Sequence, residues 1–339
     1  GSRLKQAGAD PFRVGSRFLI FDIGGTFSKY ALMKADGTIV DKGKFETKNK
    51  EGDTVDDFVD SLVAVYDNYK TYTVIEGISM SLPGQIDVEN GIVYVGGALP
   101  FLHKVRLGKL MSDRCDHKPV TLENDAKCAA LAEIWKGNAS DYTNAVLFII
   151  GTGVGGGVII DRKVHRGNRM IAGEFSFIYD TITREEAEHN LLNVDDVERL
   201  EDKYGDGIYS LSKAASTYSL RVRVAKEKNI PLEQVTGELI YKWSDEGDEI
   251  CSNALKDVYF AIAKQCLNMY VTLNPDVILI GGGISAEPRF IEGIRYYAKM
   301  LSNAAEMFKG YKIELCKFGN DSNLLGALYN FLQMHDLTK

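Results

Sequence analysis

A chain of 339 residues is too long for one compact core and implies two domains of roughly 100–200 residues each. Its 45% hydrophobic and 26% charged residues are ordinary for a soluble globular protein, and a net charge of −7 without a Lys/Arg cluster argues against a nucleic-acid partner. The longest uninterrupted apolar run, Ala145 to Ile150, is far short of the ~20 residues a membrane helix needs, and no secretory leader is visible.

Residues 1–16 read as an extension outside the fold. Arg17 to Asp22 is a short apolar run ending in a carboxylate, the pattern of a buried strand. Asp22-Ile-Gly-Gly-Thr26 follows as a tight turn, and Ser28 to Lys34 is a second strand. Asp36-Gly37 is a hairpin signal leading to a third strand over Thr38 to Phe45. Between Asp53 and Tyr69, Val55, Phe58, Val59, Leu62, Val63, Tyr66 and Tyr69 recur at steps of three and four, which predicts an amphipathic helix. Val74 to Ser81 is a strand running into Leu82-Pro83-Gly84, and a further short strand is expected over Val93 to Gly97. Three strands, a helix and another strand indicate an α/β domain with a mixed sheet.

The second half repeats the plan loosely. Asp125 opens a helix expected to bury Ala129, Ala130, Ile134 and Trp135. Ala145–Ile150 and Val158–Asp161 are strands flanking a glycine loop. The acidic stretch 195–201 reads as a solvated helix face. Ala254 to Leu273 is a long helix stopped by Asn274-Pro275. Val277–Ile280 is a strand entering Gly281-Gly282-Gly283, a helix follows Pro288, Lys312–Lys317 is a strand, and Leu324–Leu332 is a closing helix.

The five cysteines (115, 128, 251, 266 and 316) form no Cys-x-x-Cys pair, and the histidines are dispersed. Neither a disulfide framework nor a zinc site is expected, and the pattern suits a reducing cytoplasm.

Three glycine turns and two acids carry the chemistry. Asp22 with Gly24, Gly25 and Thr26 offers close backbone approach to a phosphate and one carboxylate for hydrated magnesium; taken alone, an ordinary hairpin explains it equally. Gly151 to Gly157 holds five glycines in seven residues, more than a hairpin needs, which points to a ligand pressed against the backbone. It matches neither the dinucleotide fingerprint nor the Gly-Lys-Ser/Thr nucleotide loop. Gly281 to Gly283 follows a buried strand, where α/β folds bind ligands, although a bare turn reads the same way. Asp125 is either a helix-starting residue or a base for a hydroxyl, and Glu174 either a surface acid or a ligand of sugar hydroxyls.

In this order the pieces resemble the ROK family of bacterial sugar kinases, within the sugar kinase/actin/heat-shock ATPase (ribonuclease H-like) fold. Asp-Ile-Gly-Gly-Thr (22–26) looks like its first phosphate motif and Glu-Asn-Asp-Ala (123–126) like its catalytic segment. Gly-Thr-Gly-Val-Gly-Gly-Gly (151–157) looks like the second phosphate motif, Ile-Gly-Gly-Gly-Ile-Ser (280–285) like the adenosine motif, and Leu-Leu-Gly-Ala (324–327) like the closing helix.

The resemblance implies a two-lobed α/β molecule with its active-site cleft between the lobes, 17–121 plus 323–339 forming the smaller and 122–322 the larger. It implies ATP and Mg2+ as requirements and Asp125 as the base for a sugar hydroxyl, usually at carbon 6. Asp22 would hold magnesium through water or phosphate. Gly24, Gly25, Thr26, Gly151, Thr152, Gly153, Gly155, Gly281, Gly282 and Gly283 would line the nucleotide. Gly84, Gly97, Ala98, Asn124, Glu174 and Phe177 would meet the sugar. A homodimer is the family habit. Many members follow the glutamate with Gly-His and a zinc-binding cysteine cluster; here Gly173 to Phe177 reads Gly-Glu-Phe-Ser-Phe and the next cysteine is Cys251. No zinc site is therefore expected, and Phe177 stands where the sugar-contacting histidine would be. These departures resemble the β-glucoside kinase branch, which phosphorylates glucosides such as cellobiose; kinases of N-acetylmannosamine, N-acetylglucosamine or fructose are the alternatives. Sugar-sensing repressors also occur in the family, but they carry a helix-turn-helix ahead of the first phosphate motif, and 21 residues before Asp22 leave no room for one.

Overall fold

Phe18 to Phe21 are fully buried, and the strand they form, β1 (Arg17–Ile23), is the middle of a five-stranded sheet. An apolar run without polar alternation suits a strand covered on both faces. The computed structural model describes residues 15–192 and 210–338, so most of the N-terminal extension and the acidic stretch 195–201 lie outside the described residues. Strand β1 pairs antiparallel with β2 (Phe27–Met33), which pairs antiparallel with β3 (Ile39–Glu46). On its other side β1 runs parallel to β4 (Ile75–Leu82). A small antiparallel pair, β5 (Gln85–Asp87) and β6 (Ile92–Val95), comes next, and β7 (Val120–Asn124) then lies parallel to β4.

Helix α1 (Val55–Lys70) buries the predicted face from Phe58 to Tyr69, and Thr54 caps it in a reciprocal box with Asp57. Helix α2 (Leu107–Arg114) was not anticipated: its eight residues include only three apolar ones, too few to show a period. Helix α3 (Asp125–Lys136) buries Ala129, Ala130 and Ile134. Trp135 is half-buried, its ring stacked on Tyr329 with centroids 4.8 Å apart.

A second five-stranded sheet has the order β10-β9-β8-β11-β12, formed by β8 (Ala145–Ile150), β9 (Val154–Ile160), β10 (Lys163–Val164), β11 (Val277–Gly281) and β12 (Ile313–Leu315). Its parallel strands β8, β11 and β12 repeat the β1, β4, β7 arrangement, which is the duplication visible in the sequence. The helices of this half are α4 (Arg184–Leu191), α5 (Leu211–Ala215), α6 (Thr217–Lys228), α7 (Gly237–Asp245), α8 (Glu249–Leu273) and α9 (Pro288–Ser302). Helix α8 stops where expected: Asn274 is left-handed at φ 47° and its N–H bonds the Tyr270 carbonyl. The closing helix is α10 (Ser322–Met334).

The chain divides into two units. Unit 1 comprises residues 15–141, 158–172 and 320–338; unit 2 comprises 142–157, 173–192 and 210–319. This grouping differs from a division at 121 and 322 by keeping α3 and the segment 158–172 with the first sheet. The cause is packing: α10 lies along α3 and across β4 and β1. The contact is close because residue 326 is glycine. A Cβ there would sit 1.6 Å from the Cys128 carbonyl oxygen, an impossible approach.

Candidate functional site

In unit 1 the candidate phosphate turn is held from its carbonyl side. Thr47, just past β3, donates its hydroxyl to the Gly24 carbonyl at 2.7 Å and its N–H to the Thr26 carbonyl at 2.8 Å. The buried Ser28 hydroxyl lies 2.7 Å from that of Thr47. Asn49 bridges two candidate segments, its Nδ2 donating to the carbonyls of Gly25 at 3.0 Å and Ala98 at 2.9 Å. Gly97 abuts Gly84, where a Cβ added to Gly97 would meet the Gly84 nitrogen at 3.1 Å. Gly84 in turn accepts the Asn124 side-chain N–H at 2.8 Å. Asp22, Gly24, Gly25, Thr26, Gly84, Gly97, Ala98, Asn124 and Asp125 therefore form one continuous constellation within this unit.

Asp125 is the first residue of α3, and Asn124 is its cap: Asn124 Oδ1 accepts the N–H groups of Ala126 at 3.1 Å and Lys127 at 3.3 Å. The cap is thus Asn124 and not Asp125, so capping does not compete with Asp125 as a candidate base. One Asp125 oxygen accepts the Ala126 N–H at 2.8 Å, which fixes the carboxylate at the positive end of the helix. With its oxygen and one N–H committed, Asn124 keeps one amide proton for a ligand.

Asp22 lies near the end of β1, partly buried, in register with Ser81. Burial pushes its carboxyl above the ordinary aspartate range, against the lowering effect of Asn323, whose Nδ2 donates to it at 3.3 Å. The fully buried Ser81 hydroxyl beside it and the Lys29 charge also act to lower the Asp22 carboxyl, without overcoming the effect of burial. A partly buried carboxylate pushed above its ordinary range, with a hydroxyl beside it, fits hydrated Mg2+, which takes one or two carboxylates plus phosphate oxygens. Behind them burial raises the Cys128 thiol well above its ordinary value, so it stays protonated.

Unit 2 holds the other candidates. Gly151 to Gly153 form the turn between β8 and β9, with the Gly151 carbonyl accepting the Thr217 N–H at 2.8 Å. The glycines after it lie in β9 instead of the loop, Gly155 included. Gly156 is required by packing, since a Cβ there would fall 2.1 Å from the Phe175 ring. Part of the glycine excess thus comes from an aromatic neighbour and not from a ligand. Gly281 is buried under Cys316 and Ile149, while Gly282, at φ 101°, turns the chain against the Ile150 carbonyl. Gly151, Thr152 and Gly283 line a cavity of about 710 Å3 with Tyr218, Glu238 and Glu287. Glu174 precedes a short 3-10 turn, Phe175–Phe177, and Phe177 is 72% exposed, which excludes a core role.

Sequence reasoning missed Thr47, Asn49, Ser81 and Asn323 in unit 1, and the cavity walls from α6, α7 and the residue before α9 in unit 2. None sits in a glycine motif, and each is brought in from a distant stretch of chain. Among the described residues no group of three or more His, Cys, Asp or Glu is placed to hold a metal.

Comparison with known proteins gives a consistent result. The ROK family model matches residues 19–334. A β-glucoside kinase of Klebsiella pneumoniae is 30% identical over 318 residues, covering 93% of this chain and 96% of that one. A β-glucoside kinase of Listeria monocytogenes is 30% identical over 313 residues, covering 92% and 96%. The crystal structure of a ROK family protein from Streptococcus pneumoniae in complex with sucrose superposes with a TM-score of 0.76 at 29% identity, covering 94% of this chain and 99% of that one.

Proposed function

The chain belongs to the ROK family, with its sugar kinase/actin-type α/β fold, and from that premise we propose an ATP-dependent sugar kinase with Asp125 as the general base. The acceptor is a hydroxyl at carbon 6 of a glucose-type sugar or a β-glucoside such as cellobiose. The observation that carries this reading is the continuous constellation in unit 1, which joins a helix-start aspartate to a glycine phosphate turn through Gly84, Gly97 and Ala98. Two β-glucoside kinases aligned along nearly their whole length support the acceptor class.

Phosphoryl transfer is mostly positioning and charge neutralisation. Asp125 accepts the hydroxyl proton as that oxygen bonds to the γ-phosphorus and the bond to ADP breaks; the proton stays on Asp125 until product leaves. The free Asn124 amide proton and Glu174 orient neighbouring hydroxyls. The amide side of the Gly24–Thr26 turn would meet phosphate oxygens, and Asp22 would help to hold Mg2+. When bound, Mg2+ supplies charge neutralisation at the phosphates. The unit 2 cavity is of ligand-pocket size and takes the adenosine, with Gly151, Thr152 and Gly283 along its phosphate end. Phe177 stacks on a sugar ring. A cytoplasmic homodimer, measurable by light scattering, completes the proposal.

The deciding experiment is coupled ADP release with Mg-ATP across glucose, cellobiose, N-acetylmannosamine, N-acetylglucosamine and fructose, with product identification. Turnover is expected with glucose or cellobiose. Turnover confined to an amino sugar or fructose overturns the acceptor assignment, and no turnover with any sugar overturns the kinase.

A further inference from the structure

Five side-chain contacts hold the segment 165–172 within unit 1, three of them to residues within two positions of Asp125. Gln85 Nε2 donates to the Arg169 carbonyl at 2.6 Å, and the buried Lys127 donates to the Met170 carbonyl at 2.9 Å. Arg166 does more. Its Nε and Nη2 both lie 2.7 Å from Oε2 of Glu123, whose side chain is 1% exposed. The same Nη2 donates to Asn330 Oδ1 on α10 at 3.1 Å. The other oxygen of Glu123 is occupied as well, accepting the Asn124 backbone N–H at 2.7 Å.

We propose that Arg166 is a positioning residue for phosphoryl transfer, holding the Glu123 carboxylate that fixes the Asn124 amide and so sets where α3 begins and where Asp125 lies. This rests on the sugar kinase reading above. Nothing in the glycine motifs points to Arg166, which lies outside them at 43 residues from Glu123. A buried carboxylate needs a partner, but a point charge would satisfy that need. What a guanidinium adds is a rigid planar fork able to bond Glu123 and Asn330 together, which a lysine cannot reproduce. Rigidity matters one residue from the base, because a displacement of about 1 Å there costs about a hundredfold in rate.

Glu123→Ala would leave the partly buried Arg166 without its carboxylate and is a poor probe, since the chain can fail to fold. Arg166→Lys keeps the charge and removes the fork. In that variant we expect kcat per folded site to fall about 10–100-fold, with the KM values for sugar and ATP within about threefold of the parent. Amide hydrogen exchange, read by mass spectrometry, should rise in the peptide covering 121–128 and stay unchanged over 145–150. A kcat per folded site within twofold of the parent, with only a lower melting temperature, overturns the proposal. Unchanged exchange over 121–128 overturns it too. If the parent phosphorylates no sugar, the kinase reading falls, and the exchange measurement still decides whether Arg166 holds this segment.

Discussion

Asp22 and Asp125 are carboxylates in opposite surroundings. Asp125 starts a helix and receives an N–H bond, so its charge is supported. Asp22 ends a buried strand, and burial favours its protonated form. Replacing Asp125 by Asn should lower kcat at least a hundredfold while calorimetric sugar binding stays within a few-fold of the parent; near-normal turnover would remove Asp125 as the base. Asp22→Asn should behave differently. Because the folded state holds the Asp22 proton more tightly than the unfolded chain, stability attributable to this group declines as pH rises from about 3.8 through the higher folded value. Its charge is therefore a penalty at neutral pH. The Asn variant should melt higher than the parent without ligands at pH 7, with the gain vanishing in acid, yet lose most Mg-ATP turnover. A lower melting temperature at pH 7 would show that Asp22 is not strained by burial. The helix start at Asp125 was legible because Asn-Asp is a capping pair ahead of an apolar run. Thr47, Asn49 and Asn323 were not, since Asn323 lies 301 positions from Asp22 and no local pattern encodes such a contact.

Among the elements, α3 and α10 pack backbone to backbone at Gly326. Gly326→Ala would drive a methyl into the Cys128 carbonyl, and the two helices would have to separate. A loss of about 1–3 kcal/mol is expected in urea unfolding, an overpacking cost, and an unchanged midpoint would mean the helices slide apart freely. Period alone made α1 legible, because its apolar residues recur over four turns. Helix α6 was missed: only Leu220, Val224 and Ala225 of its twelve residues are buried, and the charged remainder reads as surface loop. The 151–157 stretch was half legible. Its turn is where the glycines said, but Gly156 answers to Phe175 packed beside β9, a neighbour that spacing cannot reveal.

For the molecule as a whole, the two sets of candidate residues make separable claims. Unit 1 carries Asp22, the first glycine turn, Gly84, Gly97, Ala98 and Asp125; unit 2 carries the 710 Å3 cavity. A nonhydrolysable ATP analogue alone should slow hydrogen exchange over 217–221, 236–241 and 283–287. Sugar alone should slow it over 84, 97–98 and 124–127. Protection by nucleotide confined to unit 1 would show that the cavity is not the adenosine site. The repeat of strand order between the two sheets was legible as a duplicated plan of strand and glycine turn. One boundary between the units falls inside β9, where neither composition nor charge changes.

Helix α10 fills the first core with Leu324, Leu328 and Phe331, and the Phe331 ring occupies the space over Gly77 that any larger residue would claim. On the ribosome those residues emerge only after all of 142–319. Throughout that interval β1 and β4 are made but bare on one side, a greasy surface awaiting its cover for the time it takes to translate nearly two hundred codons. The later-made unit waits a shorter time, since β8 meets its parallel partner β11 before residues 320–338 emerge. Birth order therefore runs against gene order: the portion encoded first is completed last, and during synthesis it is the portion most exposed to aggregation and most in need of a chaperone.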